Sequence, residues 1–488
     1  MPETLTARDR WLALLVVCFA QFMVILDATI VNVALPSIQT DLHLSPENLQ
    51  WIVNSYTLLF GGFLLLGGRA ADLIGRRTVF MAGVVIFSAA SLANALATTG
   101  TILIIARGVQ GLGAALVSPA ALSVLTTTFS EGEERTKAMG VWGAIAGAGG
   151  AVGLLMGGIL TDLLSWQWIF LVNVPIGVGT AIAATRFVPN SRDLVTHRRF
   201  DLAGAVTVTA GLVLLVYAIV KAQEKGWGSL HTLGLSAVAV ALLAGFVAIE
   251  RRSPAPLVRL SILRVRTLAT ANVVLFIVAG GLFGMFFFAS LYVQRILGYS
   301  PLEAGFAFLP VTIGIIVGAG LASQVLIRRF GVKPTVVGGM TLAAIGLIVL
   351  AATTKVDGSY LGILFGLVPM AIGMGCTFVP LTLVATTGVA PEDAGLASGI
   401  FNTSQQVGGA LGLAVLTTLA TDRTTSWLLD LGHPPTPHDR ATALVEGFQL
   451  AFTVSAGLMI VGVVLVAVLL RRRDLERIDT SQPVMAGA

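Results

Sequence analysis

Two ionisable side chains of opposite sign stand where the chain is otherwise apolar. Asp27 lies within WLALLVVCFAQFMVILDATIVNVAL (residues 11–35), and Arg107 opens the run RGVQGLGAALVSP. A carboxylate at the centre of a bilayer costs roughly 3 kcal/mol on insertion scales unless it is protonated, paired or wetted. Such groups mark ion and substrate pathways and proton relays, so Asp27 is the first functional candidate. At helical spacing Arg107, Gln110, Gly111, Ala114 and Ser118 share one face. That face is small and polar, suited to a water-filled cavity. The alternative for Arg107 is a place near the helix end, from which its guanidinium reaches the headgroups. Nothing in the spacing says that Asp27 and Arg107 touch.

The elements that must position them are membrane-spanning helices. The chain has 488 residues, of which 56% are hydrophobic and only 11% charged. Its mean hydropathy is +0.89. Soluble domains carry about 25% charged residues, so this composition excludes an ordinary soluble protein. The apolar residues come in continuous blocks of helical span length, which also excludes the alternating pattern of a barrel. Fourteen spans are expected, near 11–35, 48–68, 79–97, 101–123, 139–162, 168–187, 201–220, 230–249, 268–291, 304–326, 334–353, 360–385, 393–420 and 448–470. The fold class is therefore an all-α polytopic membrane protein.

Charge sets the expected orientation. With both termini cytoplasmic, 23 of the 30 Lys and Arg residues fall in inside segments, 6 fall outside, and Arg107 lies within a span. That asymmetry is the positive-inside pattern, and an odd number of spans would scramble it. The net charge of +5 is then explained by basic loops facing anionic lipid and requires no nucleic-acid partner. Cys18 and Cys376 both fall inside spans, so neither a disulfide framework nor a metal site is expected. The first apolar run is too long for a cleavable signal and has no small-residue cleavage site. No G-x-x-x-x-G-K-[ST] run is present, which argues against an ATP-driven device, and no nucleophile–base constellation suggests an enzyme.

The expected organisation is six spans, two inserted spans, and six more. Residues 1–190 form one bundle, 191–266 hold the inserted pair and its linkers, 267–473 form a second bundle, and 474–488 are a cytoplasmic tail. The turns GRAADLIGRRT (68–78) and IRRFGVKPT (327–335) are both short, basic and Gly-containing, and occupy the same place in each six. Transporters are commonly built from such repeats, with the binding site near the midplane between them. The competing explanation is that every cytoplasmic turn is basic.

Further candidates are weaker. Span 5 is dominated by Gly140, Gly143, Gly147, Gly149, Gly150, Gly153, Gly157 and Gly158. Glycine in an apolar span allows close helix packing and cannot be a dinucleotide loop. Span 13 carries Asn402, Gln405, Gln406 and Gly409 on one stripe, which faces either a cavity or neighbouring helices. Span 9 carries GGLFGMFFF, in which Met285 and Phe286 suit an adaptable greasy pocket or plain packing. Asn54 and Tyr56 in span 2 are similar cavity candidates.

With these motifs in hand, nearly the whole chain resembles the 14-helix drug:proton antiporters of the major facilitator superfamily. LDATIVNVALP (26–36) is similar to that family's first-helix motif, with Asp27 as its acidic residue. GRAADLIGRR resembles the loop motif, placing Gly68, Asp72, Gly75, Arg76 and Arg77 at gating positions. RGVQGLGAA resembles the fourth-helix motif, in which Arg107 is linked to proton transfer. WQWIFLVNVPIG, YVQRILGYSPLEAG and AGLASGIFNTSQQVGGALG are typical of the 14-helix group. Gly140, Gly149, Gly153, Gly157 and Gly158 match the antiporter motif, but Leu154 stands where that motif has proline. Ala70 and Leu73 also depart from the loop motif.

The resemblance implies proton-coupled export of amphipathic small molecules across the cytoplasmic membrane by alternating access. Asp27 and Arg107 would couple protons, and Asp72, Arg76 and Arg77 would latch the cytoplasmic side. The proton gradient would be the energy source, with no cofactor. The partners implied are the small-molecule substrate, protons and the lipid bilayer; the motifs are silent on an envelope partner. A lipid or self-made metabolite as cargo is the first alternative, and a non-transporting membrane sensor or assembly subunit the second.

Overall fold

The computed structural model describes residues 7–129, 133–189, 201–253, 256–389 and 393–471. Every regular element described is helical. We number the helical segments α1 (Ala7–Asp41), α2 (Pro46–Ile74), α3 (Arg76–Ala95), α4 (Gly100–Thr128), α5 (Glu133–Leu163), α6 (Trp168–Phe187), α7 (Leu202–Lys225), α8 (Leu230–Arg252), α9 (Arg266–Arg295), α10 (Pro301–Phe330), α11 (Val332–Thr353), α12 (Tyr360–Thr386), α13 (Ala394–Leu429) and α14 (Pro437–Leu469). Among the described residues twelve of them are long and apolar enough to cross a membrane. The other two, α5 and α13, are 31 and 36 residues long and are the Gly-rich runs.

Local chemistry sets the helix starts. Ser45, Thr99, Ser229, Ser300, Ser359 and Thr436 each accept from a backbone N–H in the first turn of α2, α4, α8, α10, α12 and α14. A side-chain cap of this kind is worth about 1 kcal/mol. Several helices run past the expected spans, and two boundaries show why. The last helix begins at Pro437, not near 448, because Thr436 and Asp439 form a capping box with Pro437 in the first turn. The first helix runs through Pro36 to Asp41. Proline has no N–H for the carbonyl four residues back. That carbonyl, on Asn32, is taken instead by the Ser290 hydroxyl of α9 at 2.7 Å.

Packing separates the chain into parts. One apolar core, including Leu14, Met23, Phe80, Phe87 and Phe129, is built only from α1–α6 and the residues just beyond them. A larger core joins α9–α14 and reaches across to the far half of α1 and to apolar residues of α2–α6, such as Ile52, Leu103, Leu154 and Phe170. The pair α7–α8 lies beside the seam between them: Leu212 and Val216 of α7 pack with Leu58 of α2 and with Val407 and Ala410 of α13.

The seam is latched at the end where α1 and α9 finish. Besides Ser290, the Gln294 amide donates to Val33 O at 2.8 Å, and Arg295 bonds Gln39. On the same side, Gly158 of α5 lies so close to α10 that a Cβ on it would stand 2.5 Å from Pro301 O.

Candidate functional site

Asp27 is fully buried and Arg107 is 1% exposed. They meet. Arg107 Nη1 donates to Asp27 Oδ2 at 2.5 Å. The other carboxylate oxygen, Oδ1, accepts from Gln110 Nε2 at 2.7 Å and from Asn173 Nδ2 at 2.9 Å. The pair therefore buries no net charge, and each of these contacts on the carboxylate is a donor. Charge-assisted bonds of this sort are roughly twice as strong as neutral ones. Removing one partner of a buried pair leaves an uncompensated charge and is costly.

A second ring of groups fixes the first. Gln110 Oε1 accepts from Arg107 Nη1 at 2.7 Å and from Asn94 Nδ2 at 2.8 Å, while Gln110 Nε2 also reaches Ser91 Oγ at 2.7 Å. Arg107 Nε donates to the Ile52 carbonyl at 3.0 Å. The guanidinium lies over the Tyr56 ring, 4.3 Å from its centroid, with Phe170 at 5.6 Å. An aromatic face stabilises a desolvated cation electrostatically. Gln110 and Tyr56, read from sequence as cavity candidates, are thus placed against the charge pair. The site draws on α1, α2, α3, α4 and α6, so it lies wholly within the first bundle.

The remaining candidates sit elsewhere. Asn54 is fully buried, and neither atom of its amide has a hydrogen-bond partner among the described residues. Met285 is packed in the larger core, and Phe286 is half-buried against Phe308. Asn402 donates to Ser398 O and lines a shallow cleft with Thr382, Ala385, Thr386 and Phe401. Gln405 is half-buried, and the Cβ of Gln406 lies against Gly61 of α2. At the turn between α2 and α3, Gly75 adopts φ 121°, a conformation that favours glycine. Arg76 is buried, and its Nε donates to Ser123 Oγ at 2.6 Å, within the same bundle. A Cβ on Gly68 would make only an ordinary contact with Pro119, and Arg77 is half-buried. The side chain of Asp72 lies outside the described residues.

The α5 glycines divide by neighbour. A Cβ on Gly149, Gly153 or Gly157 would meet Ile25, Thr29 with Leu26, and Ile30 respectively, so this stripe packs on the turns of α1 that carry Asp27. A Cβ on Gly153 would stand 1.9 Å from Thr29 Oγ1. Gly158 instead faces α10, and the Leu154 carbonyl lies against Gly305 of α10. A Cβ on Gly140 would meet open space.

The chain matches the family model of the Major Facilitator Superfamily over residues 17–413. The chain belongs to the major facilitator superfamily. Among its relatives, a puromycin resistance protein of Streptomyces alboniger is 40% identical over 95% of this chain and 92% of that protein. A cephamycin export protein of Amycolatopsis lactamdurans is 41% identical over 83% and 84%. In fold, this facilitator is similar to the crystal structure of the POT family transporter PepTSo, with a TM-score of 0.70 at 16% identity, covering 97% and 99% of the two chains.

This facilitator is a multi-pass membrane transporter and not an enzyme. Its site includes residues that sequence reasoning did not single out. Asn173 stood inside the WQWIFLVNVPIG match without a role, and Ser91 and Asn94 carried no motif. The available signal for Asn173 was a lone amide in an apolar run, two residues before Pro175. Pro175 cannot donate to the Leu171 carbonyl, α6 breaks at Val172, and Asn173 opens the next helical stretch beside Asp27.

Proposed function

We propose that this facilitator exports amphipathic small molecules, such as drugs or antibiotics, across the cytoplasmic membrane in exchange for protons. The observation that carries the reading is the Asp27–Arg107 pair, buried in one bundle with three donors on the carboxylate. The names of the resistance and export relatives supply the cargo class. Asp27 is the proton carrier: protonation removes the anion that Arg107 neutralises and loosens the contact between α1 and α4. Since α1 also packs on the glycine stripe of α5, and α5 meets α10 across the seam, a shift of α1 reaches the opposite bundle.

In this reading fourteen helices cross the membrane, divided as 1–190, 191–266, 267–473 and a tail, with both termini cytoplasmic as the charge asymmetry requires. The latched end then faces outward. The proton gradient supplies the energy without a cofactor. Asp27→Asn should abolish proton-driven efflux in everted vesicles while the protein still inserts. Efflux of a panel of cationic dyes, neutral antibiotics and lipids, with and without an uncoupler, identifies the cargo. Unchanged, uncoupler-sensitive efflux by Asp27→Asn removes Asp27 from the mechanism.

A further inference from the structure

We infer that Asn173 is the positioning residue that lets Asp27 change protonation state without leaving the buried site; this rests on Asp27 as the proton carrier. A carboxylate only accepts hydrogen bonds, whereas a carboxylic acid brings one O–H that must find an acceptor. The three groups on Asp27 all donate in the state described. Their capacity to accept differs. Arg107 has no acceptor at all. The Gln110 carbonyl oxygen already accepts from Arg107 and Asn94, and its NH2 also serves Ser91, so turning that amide breaks the whole ring. Asn173 is fully buried, and its Oδ1 has no hydrogen-bond partner among the described residues.

Turning the Asn173 amide about its last torsion exchanges N–H donation to the Asp27 anion for acceptance from the Asp27 O–H. The proton arrives on Oδ1 of Asp27, one hydrogen bond is lost, and one is formed in the same place. The titratable or charged groups facing Asp27 among the described residues are Arg107 from α4 and Tyr56 from α2. Among the described residues α3 contributes Ser91 and Asn94 to this ring, and α5 meets this stretch of α1 through glycines. Asn173 is therefore the one described partner of Asp27 with a free acceptor.

The test separates proton coupling from packing. In proteoliposomes, Asn173→Leu should lower efflux driven by a pH gradient at least about tenfold, because a buried O–H without an acceptor is costly. Substrate counterflow at constant pH needs no change at Asp27 and should fall clearly less than the driven efflux; Asn173→Ser, whose hydroxyl donates and accepts, should recover most of the driven efflux. Equal loss of driven efflux and counterflow would reduce Asn173 to a packing residue and overturn the inference, as would driven efflux unaffected by Asn173→Leu. If Asp27→Asn abolishes driven efflux while Asn173→Leu does not, only this inference fails. If Asp27→Asn leaves it intact, the proton-carrier reading fails first.

Discussion

The two bundles bury different chemistry. The first encloses Asp27, Arg107, Gln110, Asn94 and Asn173 in one hydrogen-bonded ring. In the second, the buried polar groups among the described residues are Thr, Ser and Asn272, and none is charged. Its interior is instead rich in methionine and aromatic residues, including Met285, Met340, Met370, Met374, Phe288 and Phe452. An apolar interior specifies a shape. A neutralised charge pair specifies a state, because one proton changes what its neighbours must do. In the proposed mechanism the first bundle holds the chemically responsive part, and the second is the body it moves against.

The largest effect should come from breaking the ring at its cation. Arg107→Leu strands a buried carboxylate, and removal of one partner of such a pair costs about 3–5 kcal/mol. Thermal unfolding in detergent should show a large drop in midpoint. An Arg107→Leu protein as stable as the parent would mean that the pair is not buried as described. A second prediction strikes the link between the ring and α5. Gly153→Val forces atoms into the Thr29 contact, and overpacking of this kind costs about 1–3 kcal/mol. Gly140→Val, with open space at its Cβ, is the matched control and should be close to neutral.

The seam comes next. Ser290→Ala leaves the Asn32 carbonyl without its donor, a change of about 1 kcal/mol, and should move the equilibrium away from the latched end. Spin-label distances between the ends of α1 and α9 read that shift; an unaltered distribution would show that the latch carries no weight. The smallest effect is expected in the apolar bundle. Met374→Leu conserves volume and should cost less than about 1.5 kcal/mol, with efflux retained. A loss of driven efflux there would break the contrast between the bundles.

Much of this was legible along the chain because membrane insertion is governed by segment-level hydropathy. The apolar runs, the loop charges and the lone Asp27 are local properties, readable without knowing any neighbour. The helix extending through Pro36 was not legible, since the donor that replaces the lost backbone bond comes from Ser290, on a helix far along the chain. Nor was the division of labour among the α5 glycines: Gly157 and Gly158 are adjacent in sequence, yet one packs on α1 and the other on α10. A glycine-rich run permits close approach, but it does not say to what.

Sequence alone determined that this protein is a helical membrane protein, that one acidic and one basic group fall inside its apolar spans, and that it resembles drug:proton antiporters. Tertiary structure decided that the two groups touch, that Gln110 and Asn173 share the carboxylate, and that the second bundle buries no charge among its described residues. The reason is physical. The cost of a charge in lipid depends on its own segment and is visible in one dimension. The groups that repay that cost come from five helices, and only packing brings them within hydrogen-bond reach.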